Sequence, residues 1–480
     1  MSKFGKVAKL KSPRELRERF AELGYDIPIA ENVDADQMQA TLGEPLQLGS
    51  MSAGNRWCIH PMEGWDANTD GSPTEKTLRR WQRFGESGAK LIWGGEAAAV
   101  RPDGRANPHQ TMAIESNRAG LSQLLTTCRQ AHTAAGMSTD DLVVGLQLTH
   151  SGRFCRPNDQ RLEPRIAYHH PLLCEKYGLD PKDDSVIWSD SDLESLKASY
   201  VNAAGLAQEV GFDFVDVKAC HGYPLHEFLS ARDRSGNYGG PFENRTRLLF
   251  EIIADIRSAH PTLPIGVRLS AFDLLPFHKV DGVGVPMREH GQSTYRFGFG
   301  IDEEEPNSTD LNEPIRLINE LAELGVIAVN LTCGSPYYNP HAQRPAMFPP
   351  SDGYPPPEDP LVGVARQITV HRQIKLACPK IPLVGSGYSY LQDFLPHVAR
   401  GVVEQNWINS VGIGRMVLSY PTLPADALAG KKMERKLICR TFSDCTTGPR
   451  NGLVSGCYPL DPYYKNLPEF KELSAIKSDR

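Results

Sequence analysis

The sequence predicts an α/β fold, specifically a (β/α)8 TIM barrel, from three observations. Eight short apolar or β-branched runs alternate with stretches of helical period. The clearest unit, residues 214–253, reads as buried strand, polar loop and helix, which is one unit of a parallel sheet. Length agrees: 480 residues could make two or three domains, yet α/β barrels often run past about 250 residues as one. The expected division is an N-terminal extension (1–42), a barrel (43–432) and a cysteine-containing C-terminal tail (433–480).

In the extension, Ser12-Pro13-Arg14-Glu15 signals the start of a short charged helix, and Ile27 to Thr41 shows no clear period. Arg56 to Met62 reads as the first strand, followed by a helix around Thr74 to Ser87 and a second strand, Leu91 to Gly95. A helix from Ile114 to Ala134 precedes the third strand, Val143 to His150. A helix from Leu193 to Val210, ended by Gly211, leads into the fourth strand at Phe214, and the helix after it opens near Asn244. Strand five is Ile265 to Ser270; helix Leu311 to Leu324 leads to strand six, Val326 to Leu331. Helix Leu361 to Ala377, strand Ile381 to Gly385, helix Tyr390 to Ala399 and strand Ser410 to Ile413 complete eight units. Two loops are long for a barrel. Ala271 to Asp310 is glycine-rich, and Pro336 to Pro360 holds nine prolines in 25 residues; such loops are lids or binding loops, with solvated decoration as the alternative.

Composition excludes several classes. A net charge of −6 with 23% charged residues and no basic block argues against nucleic acid as a partner. The first residues lack a signal-peptide core, and no run of eighteen apolar residues suggests a membrane span, so a cytoplasmic protein is expected. Ten scattered cysteines suit reduced thiols rather than a disulfide framework.

In such barrels the chemistry sits at the strand C-terminal ends. There the sequence places Glu63, Glu96, Gln147, His150, Lys218, His221, Tyr223 and Arg268. Strands seven and eight end in Gly385-Ser386-Gly387 and Gly412-Ile413-Gly414-Arg415, the usual place for a phosphate, where glycines allow close backbone approach. That set suits a phosphorylated cofactor, although glycines at strand ends also occur for steric reasons alone.

The ordered motifs His221-Gly222-Tyr223-Pro224-Leu225-His226-Glu227-Phe228-Leu229-Ser230, Tyr238-Gly239-Gly240 and Glu243-Asn244-Arg245-Thr246-Arg247 resemble the signature of the old yellow enzyme family of FMN-dependent ene-reductases and NADH:flavin oxidoreductases. The resemblance runs from about Leu46 to Pro424, through Pro61-Met62, Gln147 to Arg153, Gly266 to Ser270 and Gly414-Arg415. It implies FMN as cofactor, NADH or NADPH as donor and a small-molecule electron acceptor: an activated alkene, enone or quinone. By the same resemblance, backbone at Pro61 and Met62 with Gln147 holds the flavin ring, Arg268 faces its N1/O2 side, and Ser386, Gly387, Gly414 and Arg415 hold the phosphate. Glu63, Gly95 and Gly385 complete the expected cofactor-binding set. Lys218 and His221 would grip the acceptor, hydride would reach one carbon from flavin N5, and Tyr223 would protonate the other; a merely packed rim tyrosine is the alternative.

Departures from the family pattern are specific. Lys218 stands where histidine is usual, and Glu63 where threonine or cysteine is frequent. A carboxylate there would repel a negatively charged reduced flavin unless neutralised, so Glu63 is expected either to pair with Lys218 or to turn to solvent or a backbone amide. Longer relatives carry a four-iron cluster in the tail. This chain offers Cys439, Cys445 and Cys457, with Phe442 at the second ligand place, so no 4Fe-4S cluster is expected and no metal ligand is assigned; a vestigial or zinc-binding tail is the reading, and whether the three cysteines bind any metal stays open. Two other readings stay open: a class I aldolase using Lys218 as Schiff-base nucleophile, and a flavin-binding protein without turnover. The acceptor, the choice of NADH or NADPH and a homo-oligomeric state are left open.

Overall fold

The computed structural model describes residues 4–288 and 294–478. Eight parallel strands close on themselves: β1 (Trp57–Ile59), β2 (Leu91–Ile92), β3 (Val143–Thr149), β4 (Phe214–Ala219), β5 (Ile265–Ser270), β6 (Val329–Thr332), β7 (Leu383–Gly385) and β8 (Ser410–Ile413). Val411 of β8 lies opposite Trp57 of β1, and Leu91 of β2 pairs with Val143 of β3, so the ring has no free edge. The outer helices are α1 (Glu75–Gly85), α2 (Arg118–Ala134), α3 (Asp190–Val210), α4 (Phe242–Ala259), α5 (Asn312–Glu323), α6 (Pro360–Ala377), α7 (Leu395–Glu404) and a short α8 (Leu423–Leu428).

Local chemistry accounts for the helix ends. Thr74 and Thr77 form a reciprocal cap on α1, and Ser189 and Asp192 do the same on α3, each satisfying backbone N–H groups that an open helix end leaves unpaired. Gly211 at φ +99° closes α3 in a left-handed turn that a β-carbon would strain.

Several element boundaries differ from the sequence reading, and three of the differences have a clear local cause. The second strand stops at Ile92, because Gly94 and Gly95 turn through positive φ; the chain resumes at Ala97–Ala99 alongside Gln147–Thr149. Strand six begins at Val329 rather than Val326, because the Val326 amide still closes the end of α5 on the Leu321 carbonyl. The seventh helix runs Leu395–Glu404 and not Tyr390–Ala399, because Gln392 at φ 53° interrupts the helical path after a 3-10 turn. The unperiodic stretch after Ile27 contains a short helix, Ala35–Gln39, capped by the Asp34 carboxylate.

Both ends of the chain pack on the barrel. Leu16 and Phe20 of the helix Pro13–Glu22 are buried in the main core, and Arg19 reaches Asp359 at the start of α6 across 2.7 Å. The tail folds back over the catalytic face, where the Ser455 hydroxyl accepts from the Trp65 amide at 2.8 Å and Asp461 pairs with Arg79 of α1 at 2.8 Å. Of the two long loops, that after β5 carries an antiparallel hairpin, Phe277–Val280 with Val283–Pro286; its residues 289–293 lie outside the described residues. The other loop buries Tyr338 and Tyr354. Among the described residues no helix is long and apolar enough to cross a membrane.

Candidate active site

At the C-terminal end of the barrel is a cavity of about 270 Å³. Strand ends β1, β3 to β8 and the tail all contribute to its wall. Pro61, Met62, Glu63, Gln147, Lys218, His221, Tyr223, Arg268, Ser386, Gly387, Gly414 and Arg415 all face it. Gly95 and Gly385 do not. Gly95, at φ +41°, accepts the Met62 amide on its carbonyl and lies against Trp81, so it shapes the turn rather than the cavity. Gly385 ends β7 under the Tyr388 hydroxyl and His371, where a β-carbon would meet the hydroxyl at 2.8 Å. Glu96 and His150 are also strand-end residues turned away. Glu96 is buried against Arg80 at 2.9 Å, and burial raises its pKa to about 7. His150 packs edge-on to Trp188, and burial lowers its pKa to about 3.

The floor is polar and rigid. Gln147 donates to Asp216 across 2.6 Å, and burial pushes the Asp216 carboxyl up to about 6. Arg268 donates to the Pro61 carbonyl at 3.3 Å, leaving its Nε without a protein partner. His60 bridges Asn330 at 3.1 Å and Ser386 at 3.0 Å; burial, with the charge of Arg268, keeps it neutral. Nothing in the sequence reading singled out His60, which precedes Pro61 in an unremarkable apolar run.

One end is cationic. Arg415 donates to the Pro345 carbonyl at 2.9 Å, while its other terminal nitrogen has no partner. Arg344, from the proline-rich loop, donates to Thr446 at 2.5 Å and also keeps an unpartnered nitrogen. Burial first, then the charges of Arg415 and Arg450, lowers the Arg344 pKa to about 10. Uncompensated buried guanidiniums are costly unless an anion joins them. Arg344 escapes sequence reading because its loop lacks any period.

The opposite wall carries the reactive side chains. The Tyr223 hydroxyl donates to Glu63 Oε2 at 2.5 Å and lies 3.0 Å from the Tyr337 hydroxyl. Lys218 Nζ sits 3.7 Å from the centre of the Tyr223 ring and 3.9 Å from Glu63 Oε2. Glu63 therefore faces Lys218, but its tight partner is Tyr223. Burial, and then the Glu63 charge, raises the Tyr223 pKa well above its ordinary value; burial lowers that of Lys218 against the opposing pull of Glu63. His221 adopts φ 64°, a conformation that costs a non-glycine residue about 1–3 kcal/mol. It is held there by a bond from its amide to the Ser270 hydroxyl, with its Nε2 3.2 Å from Thr332 and 3.1 Å from Gln343. Burial and the charges of Arg268 and Lys218 keep its imidazole neutral.

A profile of the NADH:flavin oxidoreductase / NADH oxidase family matches residues 41–285, more than half of the chain. The chain belongs to that family. An NADH:flavin oxidoreductase of Gibberella zeae is 31% identical over 244 residues, covering 48% of this chain and 56% of the relative. The chain spans from about half to two thirds of the length of the curated relatives it matches. The fold is shared with solved structures: 2-naphthoyl-CoA reductase superposes at TM-score 0.65 with 18% identity, over 90% of this chain and 58% of that one. An old yellow enzyme from Pichia superposes at 0.56 with 18% identity, over 84% and 92%. The matched family segment ends before β6 (Val329–Thr332), so the cationic end and the tail wall rest on the geometry of this chain. There burial first, then the nearby Cys439 and Cys445, raises the pKa of the Cys457 thiol, yet among the described residues no group of three His, Cys, Asp or Glu is arranged to hold a metal.

Proposed function

We propose that the chain is an FMN-dependent oxidoreductase that takes hydride from NADH or NADPH and delivers it to an electron-poor small-molecule acceptor. One observation carries the reading: a single cavity joins unpartnered guanidinium nitrogens of Arg344 and Arg415 at one end to the Lys218–Glu63–Tyr223 cluster at the other. The residues fit FMN. Arg344 and Arg415 present the charge a phosphate needs beside Ser386, Gly387 and Gly414, and Arg268 Nε and Gln147 present polar groups to a heteroaromatic ring. Bound there, FMN supplies hydride transfer, while the protein supplies orientation and charge.

His221 and Lys218 orient and polarise the acceptor. His221, neutral and strained into place, offers a directional ring nitrogen; Lys218 offers a compact cation. Tyr223 holds the proton for the second carbon of a reduced double bond. The wall of Tyr337, stacked at 4.0 Å on Phe154 and covered by Arg450 at 4.3 Å, limits water at that point.

The purified protein should be yellow, release FMN on denaturation, and oxidise NADH or NADPH when given enones or quinones. A colourless protein that borohydride traps on Lys218 with a carbonyl compound would support the aldolase reading instead, which the lowered Lys218 pKa alone would also allow.

A further inference from the structure

We infer that Glu63 is the proton reservoir of the site, delivering protons from water to the acceptor through Tyr223. This rests on the proposed alkene-reducing function. Three features of the cluster argue for it. First, the donor Tyr223 is 3% exposed, whereas the Glu63 side chain is 15% exposed, so the carboxyl is the more accessible of the two from the cavity. Second, the Tyr223 hydroxyl and Glu63 Oε2 are in direct hydrogen-bond contact at 2.5 Å, so a proton can pass between them with no group in between. Third, an ionised Glu63, the form whose charge raises the Tyr223 pKa, opposes proton donation by the phenol, since two anions would then share that contact with Lys218 as the near cation. A loaded Glu63 removes the conflict.

The step then balances. With FMN bound to supply the hydride that one alkene carbon would gain, the neighbouring carbon would form its C–H bond with the Tyr223 proton as the C=C π bond breaks. The Tyr223 oxygen takes the Glu63 proton in the same movement, so tyrosine ends as it began. Glu63 is left a carboxylate facing Lys218 Nζ at 3.9 Å, and water reloads it.

The backbone holds the reservoir still. On either side of Glu63, the Met62 amide donates to the Gly95 carbonyl at 3.1 Å, and the Gly64 amide donates to Glu96 at 3.0 Å. The titratable and charged groups around Glu63 come from several elements: Lys218 and Tyr223 after β4, Tyr337 from the loop after β6, the Cys155 thiol after β3, and Arg450 of the tail, which acts on both tyrosines. Quinone reduction can draw its protons from water and serves as the internal reference.

The test is the ratio of enone to quinone reduction rates across pH, in the FMN-loaded protein and in its Glu63→Gln variant, which keeps an acceptor for the Tyr223 hydroxyl but has no proton to give. In the parent the ratio should fall about tenfold per pH unit above one midpoint; in the variant it should be at least about 10²-fold lower and flat. Infrared spectra of the unreacted protein provide a readout apart from turnover: a protonated-carboxyl band, absent from the variant, should titrate with that same midpoint. A Glu63→Gln ratio that keeps the parent's value and slope overturns the inference, as does loss of the slope in Tyr337→Phe but not in Glu63→Gln. Failure of the parent to reduce either acceptor overturns the proposed function itself.

Discussion

Tyr223 and Glu63 meet across 2.5 Å although one follows β4 and the other β1, strands that do not pair in the barrel. The contact makes a residue that departs from the family pattern the partner of the residue expected to donate the proton. It also places Lys218 over the phenol ring, so the substitution of a cation for histidine and of a carboxylate for threonine or cysteine read as one change.

Arg415→Ala should weaken FMN binding without unfolding the barrel. The side chain lines the cavity, keeps one bond to the Pro345 carbonyl and has a buried terminal nitrogen with no protein partner. Loss of a charge-assisted bond of about 1.5–3 kcal/mol predicts a Kd raised roughly 10- to 150-fold. Flavin retention through gel filtration and fluorescence titration measure it; parent-like retention would remove this loop from the phosphate site.

Acid should destabilise the fold through buried neutral histidines. His371 lies behind β7 with its pKa lowered by burial to about 3, against about 6.5 when unfolded. The unfolded chain therefore binds more protons between these values, so stability present above pH 6.5 is lost as pH falls. At pH 5 this one side chain should account for about 2 kcal/mol. His371→Gln should show a shallower fall in denaturant midpoint between pH 7 and pH 5; an equal slope would contradict the assignment.

The tail should hold no four-iron cluster. It supplies Cys439, Cys445 and Cys457 with Phe442 at the remaining place, and Phe442 lies 5.6 Å from the ring of Phe348. Anaerobically purified protein should contain iron and acid-labile sulfide far below stoichiometric amounts. About four of each per chain would contradict the count.

The barrel was legible because its strands are buried on both faces and read as apolar runs, while caps such as Ser189 and Gly211 mark helix ends directly. Site residues on strand ends, such as Gln147, Lys218 and Arg268, inherit that legibility. Arg344, Tyr337 and Arg450 do not. They reach the cavity from a proline-rich loop and a folded-back tail, whose positions depend on tertiary contacts such as Trp65 to Ser455 and on no periodicity. Glu63 was visible as a departure, but its tight partner was not, since a residue after β1 and one after β4 have no relation in sequence.

The most direct measurement is stopped-flow kinetics of both half-reactions in Tyr223→Phe. Reduction of FMN by NAD(P)H requires no proton from the phenol, whereas enone reduction does. The account predicts that enone reduction slows by about 10²- to 10⁴-fold while flavin reduction and quinone reduction lose far less. Equal slowing of flavin and enone reduction would show that Tyr223 only packs the wall, and that the proton reaches the acceptor from another group.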